Sequence, residues 1–341
     1  MVTNTDKTFY LHLCDEPVKV DIQLSNGITI QSAENDEHLY LGMWFKNTAS
    51  ITEQMRFNLN HRAYNIAKYY DWLEVNLMTP IYIKLRVLDS CMFLAYLYGS
   101  ECWSTIDEVG ENILALERKC LKSILQVKPS TPNALIYIEL GRPDMISIVK
   151  VRQKNFYERC KKLTKEQAIM RCILEMCQNL NLDITRYYEA LDDGLAAQSL
   201  HNMKCDLETS TTSQCLRYKE ISNMKCVDPV YGQYLREDKR ILITKWRLSS
   251  HNLHVERGRY TSPKTPREER TCKVCPTSVE DEVHVLFYCP LYRIVRVRHR
   301  DFLATHTTLK DVLNPSCLEE AECVGDILLE IERIRDTENM Y

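Results

Sequence analysis

Glycine and proline are scarce: 9 and 11 residues in a chain of 341. All-β folds need both at their turns, so the scarcity excludes a turn-rich β architecture and favours long helices. No run of eighteen apolar residues occurs, so no transmembrane helix is expected. The opening Met-Val-Thr-Asn-Thr-Asp-Lys lacks the apolar stretch of a secretory signal. The expected location is therefore intracellular, in nucleus or cytoplasm. There, fifteen cysteines, an odd number, read as reduced thiols or metal ligands rather than a disulfide framework. A strong net charge is also missing, since the formal total is −3. The balance is uneven along the chain. Residues 228–300 carry fifteen Lys/Arg against nine Asp/Glu, and 301–341 carry three against ten. A basic block followed by an acidic tail suggests a polyanionic partner for the block, although two solvated helix faces would give the same counts.

The length, with 45% hydrophobic residues, allows two or more compact units. The fold class expected is mainly α with a small N-terminal β portion. Thr8–Leu13, Val18–Leu24 and His38–Phe45 carry the β-branched and aromatic residues of strands, with a Ser25-Asn26-Gly27 turn. After Ser50 the periodicity becomes helical. Thr79-Pro80 starts one helix, with Ile81, Leu85, Leu88, Met92 and Ala95 on its apolar side and Gly99 as its stop. A second helix carries Ile113, Leu116, Cys120, Leu121 and Ile124, and a short one runs from Ser130-Thr131-Pro132 to Gly141. Beyond it, Ile148, Val151, Phe156, Cys160, Ile169, Ile173, Met176 and Leu180 form a candidate core stripe. The polar, Ser/Thr-rich stretch 199–226 reads as a boundary.

One segment carries chemistry. Cys272, Cys275, His284 and Cys289 follow the spacing C-x2-C-x8-H-x4-C. Two cysteines three apart on a tight turn aim both sulfurs at one point, the first half of a tetrahedral zinc site. Ser278 with Asp281 predicts a capping box opening a helix that carries His284. Cys289 is five residues on, about 140° around an ideal helix, so it faces the same metal only if the helix ends there. Pro290 disfavours helical geometry at Cys289 and supplies that break. Four protein ligands make the expected cofactor a single structural Zn²⁺. The remaining cysteines, Cys172 and Cys177 among them, read as small buried hydrophobes.

Around these ligands lie Arg257, Arg259, Lys264, Arg267, Arg270 and Lys273 on one side and Arg293, Arg296, Arg298 and Arg300 on the other. Tyr260, Phe287, Tyr288 and Tyr292 are interleaved. Cations that track phosphates, with rings on which bases stack, suit RNA or single-stranded DNA. A second basic stretch, Lys150 to Lys162, encloses Phe156 and Tyr157, which fit a core better than a binding face.

Arg247-Leu-Ser-Ser-His-Asn-Leu253, Glu256-Arg-Gly-Arg-Tyr260, Glu269-Arg-Thr-Cys272, Val279-Glu-Asp-Glu-Val-His284 and Cys289-Pro-Leu-Tyr292 resemble the C-terminal cysteine/histidine knuckle of non-LTR (LINE-type) retrotransposon reverse transcriptases. Leu97-Tyr-Gly-Ser-Glu-Cys-Trp103 and Thr131-Pro-Asn-Ala134 with Glu139-Leu-Gly-Arg142 are similar to segments that follow the polymerase palm in that family. Leu39-Tyr-Leu-Gly-Met43 resembles its primer-gripping strand-turn element and Asn4-Thr-Asp-Lys-Thr8 the strand carrying the palm lysine. The resemblance implies palm-remnant roles for Lys7 and Gly42, and adds Arg247 to the nucleic-acid contacts. It implies a division into 1–48 (palm remnant), 49–198 (helical thumb-like body), 199–235 (connector), 236–300 (basic zinc module) and 301–341 (acidic helical tail).

The departure from the family concerns catalysis. Such polymerases bind two Mg²⁺ through palm aspartates, which in the family precede the lysine strand, and here Met1 stands just before that strand. Asp192-Asp193, preceded by Ala190-Leu191 and followed by Gly194, reads as a solvated helix end. The expectation is a truncated or domesticated piece that binds template or primer strand and neither polymerises nor cuts DNA. The alternative is a zinc-knuckle protein-interaction adaptor with a partner held by the acidic tail, or a retroelement remnant without a role.

Overall fold

The computed structural model describes residues 9–11, 22–25, 27–32, 37–46, 48, 50–103, 106–163, 175–176, 178–179, 183–192, 194–224, 228–232 and 234–339. Its named elements are five short strands, β1 (Phe9–Tyr10), β2 (Ile22–Gln23), β3 (Thr29–Ser32), β4 (Glu37–Tyr40) and β5 (Met43–Lys46). The principal helices follow: α1 (Ile51–Val75), α2 (Ile81–Val87), α3 (Ile106–Leu125), α4 (Asn133–Leu140), α5 (Met145–Lys162), α6 (Leu195–Thr209), α7 (Ser213–Ile221), α8 (Glu237–Arg247), α9 (Arg293–Arg298) and α10 (Leu318–Asn339). The chain is mainly helical with small N-terminal sheets. It divides into two compact units. The first comprises 1–72, 87–116 and 144–196, and the second 73–86, 117–143 and 197–341.

In the first unit β3 pairs antiparallel with β2 and parallel with β1. Leu24 N–H donates to the Ile28 carbonyl at 2.8 Å, and Gly27 takes φ 80° in the loop between β2 and β3. Asn26 of the expected turn lies outside the described residues, as do Lys7 and, from the Thr8–Leu13 segment, Thr8, His12 and Leu13. The run His38–Phe45 is not one strand. It is the β4–β5 hairpin, turned by Leu41 and Gly42 at φ 47° and 78°, because two consecutive positive φ values make the tight turn that matches strand twist.

One face of α1 satisfies the hairpin's open edge. Asn58 accepts from the Trp44 N–H at 2.9 Å and donates to its carbonyl at 2.7 Å. Gln54, one turn away, accepts from the Lys46 N–H at 3.1 Å. Arg62, the next turn on, donates to the carbonyls of Gly42 at 2.7 Å and Tyr98 at 2.6 Å. The spacing of four puts all three on one side of the helix, where they stand in for a missing strand.

After α2 the helix runs on as a π-turn segment, Leu88–Phe93, and ends at Gly99, φ 79°. A Cβ on Gly99 would lie 2.5 Å from Met43 Sδ, so glycine serves both the turn and a close approach. The α5 stripe is displaced from the one expected: Met145, Ile146, Val149, Gln153, Tyr157 and Cys160 are buried, while Ile148, Val151 and Phe156 are half-buried. The cause is Gln153, a polar residue on the core side that donates to the Ser100 carbonyl at 2.9 Å and also to that of Trp103. Met176 is exposed, and Ile169, Ile173, Leu180, Cys172 and Cys177 lie outside the described residues.

In the second unit Gly141, φ 62°, ends α4. Helices α8 and α10 pack closely, because Gly325 leaves room for the stem of Lys239: a Cβ there would sit 2.5 Å from Lys239 Cβ. The Lys239 ammonium meets Glu322 and, at 2.9 Å, Asp326. Ile243, Trp246, Leu313, Val324, Ile327, Leu328 and Ile331 are buried in this unit. Several of its buried charges are paired. Lys84 and Arg240 each lie 2.8 Å from Glu237 Oε1. Glu139 accepts from Arg247 Nε at 2.5 Å and Nη2 at 3.0 Å, and from the hydroxyls of Tyr218 at 2.7 Å and Tyr231 at 2.6 Å.

Candidate metal centre

The loop that offers Cys272 and Cys275 is closed by backbone bonds. Cys272 N–H donates to the Ser278 carbonyl, Ser278 N–H to that of Cys275 and Glu280 N–H to that of Arg270, each at 2.9 Å. Thr271 and Val279 form an antiparallel bridge across it. The following helical turn is capped by Asp281 and not by Ser278. The Asp281 carboxylate accepts from the His284 N–H at 3.0 Å, since Ser278 is already committed to the loop.

The segment His284–Tyr288 is a π-turn, and Cys289 leaves it extended at φ −62°, ψ 123°. Cys289 N–H donates to the His284 carbonyl at 2.7 Å, an i→i+5 bond. This combines with the break before Pro290: the wider turn carries residue 289 back over residue 284, where an ideal helix would leave them far apart.

The result is four donors at one point. Cys272, Cys275, His284 and Cys289 present ligand atoms all within 4.8 Å of one another. Cys272 and Cys289 sulfurs are 3.8 Å apart, and a Zn–S bond of about 2.3 Å in a tetrahedron implies an edge of about 3.8 Å. His284 Nε2 is buried with no hydrogen-bond partner among the described residues, which a metal bond would satisfy. Burial, with the Cys272 and Cys275 thiols close by, pushes the Cys289 thiol up to about 12, and a central divalent cation reverses that preference because coordinated thiols are deprotonated. The cluster is capable of holding one Zn²⁺ in a structural role, with no open position for substrate.

Supporting contacts surround it. His251 Nδ1 accepts from the Leu253 N–H at 3.3 Å and Nε2 faces Glu282 Oε1 at 2.9 Å. Burial alone would raise the Glu282 carboxyl, but His251 and Arg217 hold it at about 2. Glu280 accepts from the His254 N–H at 2.8 Å and meets Arg335 of α10, and His254 Nδ1 lies 2.8 Å from the Thr271 carbonyl. Arg296 donates to the Cys289 carbonyl at 2.6 Å. Sequence reasoning missed the Glu280–Arg335 tie, because nothing local marks partners 55 residues apart.

The cations expected to meet nucleic acid separate into groups. Arg257, Arg267, Lys273, Arg293, Arg298 and Arg300 are exposed, although Arg267 pairs with Asp281 at 3.1 Å, Arg298 with Glu330 at 2.7 Å and Arg300 with Asp301 at 3.3 Å. Arg259 and Arg270 are half-buried: Arg259 pairs with Glu256 at 2.8 Å, and Arg270 donates to the Val255 and Thr265 carbonyls, both at 2.7 Å. Gly258 is needed there, since a Cβ would meet Arg270 Cδ at 2.7 Å. Arg247 must be withdrawn from the contact set, being fully buried on Glu139. Tyr292 must be withdrawn as a stacking platform, since it is 2% exposed. Tyr288 remains open at 70%, while Tyr260, 52% exposed, has Lys128 Nζ over its ring at 5.6 Å and its hydroxyl 2.6 Å from Ser130 Oγ. Gly42 sits in the hairpin turn of the first unit.

No helix among the described residues is long and apolar enough to cross a membrane. Neither a family model, nor a curated protein, nor a solved structure matches the chain.

Proposed function

We propose that the chain binds RNA or single-stranded DNA through the surface around a structural zinc, and that it corresponds to the C-terminal part of a non-LTR reverse transcriptase. The binding reading is carried by exposed Arg257, Lys273 and Arg293 and the open ring of Tyr288, which flank the metal ligands along the chain. Phosphate contacts and sequence-tolerant stacking call for exposed cations and exposed rings together. The family reading draws support from long-range pairing of the resembling segments, Glu139 with Arg247 and His251 with Glu282. In it the strands and the Gly42 hairpin are the end of a palm, the helices after residue 48 a thumb-like body, and residues 236–300 the basic knuckle. An adaptor reading would rest on the acidic helix α10, whose Glu322, Asp326 and Glu330 are paired with Lys239 and Arg298.

Fluorescence anisotropy of a labelled single strand at several salt concentrations tests the binding. Arg293, Arg298 and Arg300 changed together to Ala should weaken affinity and reduce the log–log salt slope by about two units, at roughly 0.7 per phosphate contact. Arg296 is left intact because it holds the Cys289 carbonyl. Tyr288→Ala should cost about 1 kcal/mol or more of binding. A slope unmoved by the triple change would shift the case to a protein partner.

The same reading makes this polypeptide inactive as a polymerase. Asp192 lies exposed in a loop, with its carboxylate 3.2 Å from the Gly194 N–H, and Asp193 is outside the described residues. With primer-template, nucleotides and Mg²⁺ we expect incorporation at background. Incorporation abolished by changing Asp192 and Asp193 to Ala would refute this.

A further inference from the structure

Cys323 of α10 is a half-buried thiol outside the metal centre. Its Sγ lies 3.7 Å from Nδ1 of His299, the residue that closes α9. The other ring nitrogen, Nε2, stands 3.4 Å from Glu330 Oε1, and Arg298 holds Glu330 Oε2 at 2.7 Å. Cys323 and Glu330 are two turns apart on one helix and share a face, and His299 lies between them. An ionised carboxylate only accepts, so Nε2 carries the ring proton and Nδ1 turns its lone pair to the thiol. Nucleophile, base and orienting acid thus stand in a row within the second unit.

At rest the thiol keeps its proton. Burial and Asp326 raise it, and Lys239 of α8, itself committed to Glu322 and Asp326, acts against them only in part. A raised thiol without help is a poor nucleophile. His299 supplies the help by taking the proton as the sulfur attacks. The surroundings then select the electrophile. The backbone N–H groups around Cys323 are spent on hydrogen bonds within α10, so they cannot hold the oxyanion of an acyl transfer. A hydroperoxide needs no such donors. It is small enough for a half-buried sulfur, and its departing oxygen requires only the proton that His299 has taken.

We propose that Cys323 is a peroxide-reactive thiol, with His299 as its general base and Glu330 as the residue that positions the base. The sulfur attacks one peroxide oxygen, so that an S–O bond forms as the O–O bond breaks. Sulfur gives up two electrons and becomes a sulfenic acid, and the peroxide is reduced. The thiol proton passes through His299 Nδ1 to the departing oxygen, which leaves as water or an alcohol.

The test treats the reduced, zinc-loaded full chain with hydrogen peroxide and dimedone, a sulfenic-acid trap, and follows each cysteine by peptide mass spectrometry across a range of pH. Cys323 should be trapped faster than Cys91, which is exposed. Access alone would give the opposite order. His299→Gln should slow Cys323 by about a hundredfold, the lower end of what a positioned general base contributes, and leave Cys91 unchanged. It should also move the rise in Cys323 rate to higher pH, because the raised thiol must then ionise unaided. Glu330→Gln keeps the base but frees its ring, and should give a profile between those two. Cys323 trapped no faster than Cys91 in the unaltered chain overturns the proposal, and that comparison stands even if His299→Gln fails to fold. An unchanged rate and profile in a folded His299→Gln chain overturns it equally.

Discussion

Replacing Cys275 with Ser should abolish zinc binding and unfold the loop around it, while the packed helices of the second unit stay folded. Beyond its three backbone bonds and the ties of Glu280 to Arg335 and of His254 to the Thr271 carbonyl, the loop has little else to hold it. Residues 261–269 are almost wholly exposed, Lys273, Val274, Pro276 and Thr277 are exposed, and the sheet element is the single Thr271–Val279 bridge. A structural Zn²⁺ contributes about 10–16 kcal/mol of apparent free energy to such a loop, several times what its side-chain contacts could supply. Metal analysis should find one zinc per chain in the unaltered protein and none in the variant. Hydrogen exchange should lose protection over 270–290 in the variant or after chelation, and keep it over 237–247 and 318–335, where Ile243, Trp246, Ile327 and Leu328 are buried. Full zinc in Cys275→Ser, or unchanged exchange after chelation, would sink the assignment.

The ligand set was legible because metal geometry writes itself into local spacing: a Cys pair three apart, a helix start, and a proline after the last cysteine. The helix breaks at Pro80, Gly99, Pro132 and Gly141 were legible for a similar reason, since their backbone restrictions act within a few residues. What could not be read depends on distant partners. Nothing near Gln153 announces that its amide reaches the Ser100 carbonyl, so the α5 stripe was placed out of phase. The π-turn over His284–Tyr288 is set by the metal loop that Cys289 must reach, a tertiary demand with no composition signature. Charge was the most misleading signal. A run of arginines reads alike whether the side chains face phosphate or carboxylate, and the partner that decides it for Arg247 lies 108 residues earlier.

That partner makes the second large expectation. Arg247 and Glu139 are both 0% exposed, joined by two bonds of a guanidinium fork, and Arg247 Nη1 also donates to the Leu313 carbonyl and, at 2.9 Å, to Asn314. Burial alone would make Arg247 easier to deprotonate, but Glu139 reverses this and keeps it charged. Removing one partner leaves the other as a bare charge in the core, which costs about 3–5 kcal/mol, a large fraction of an ordinary stability of about 5–15 kcal/mol. Arg247→Met should therefore lower the melting temperature of the second unit by on the order of 10 °C. Arg247→Lys should also destabilise, since an ammonium cannot reproduce the fork. The double variant Arg247→Met with Glu139→Leu should recover much of the loss, because neither charge then remains buried. A phosphate contact at Arg247 would behave in the opposite way: Arg247→Met would leave the melting temperature alone and weaken oligonucleotide binding. Thermal denaturation of the three variants beside anisotropy of the same samples separates the two, and an unshifted melting temperature in Arg247→Met would return this arginine to the binding surface.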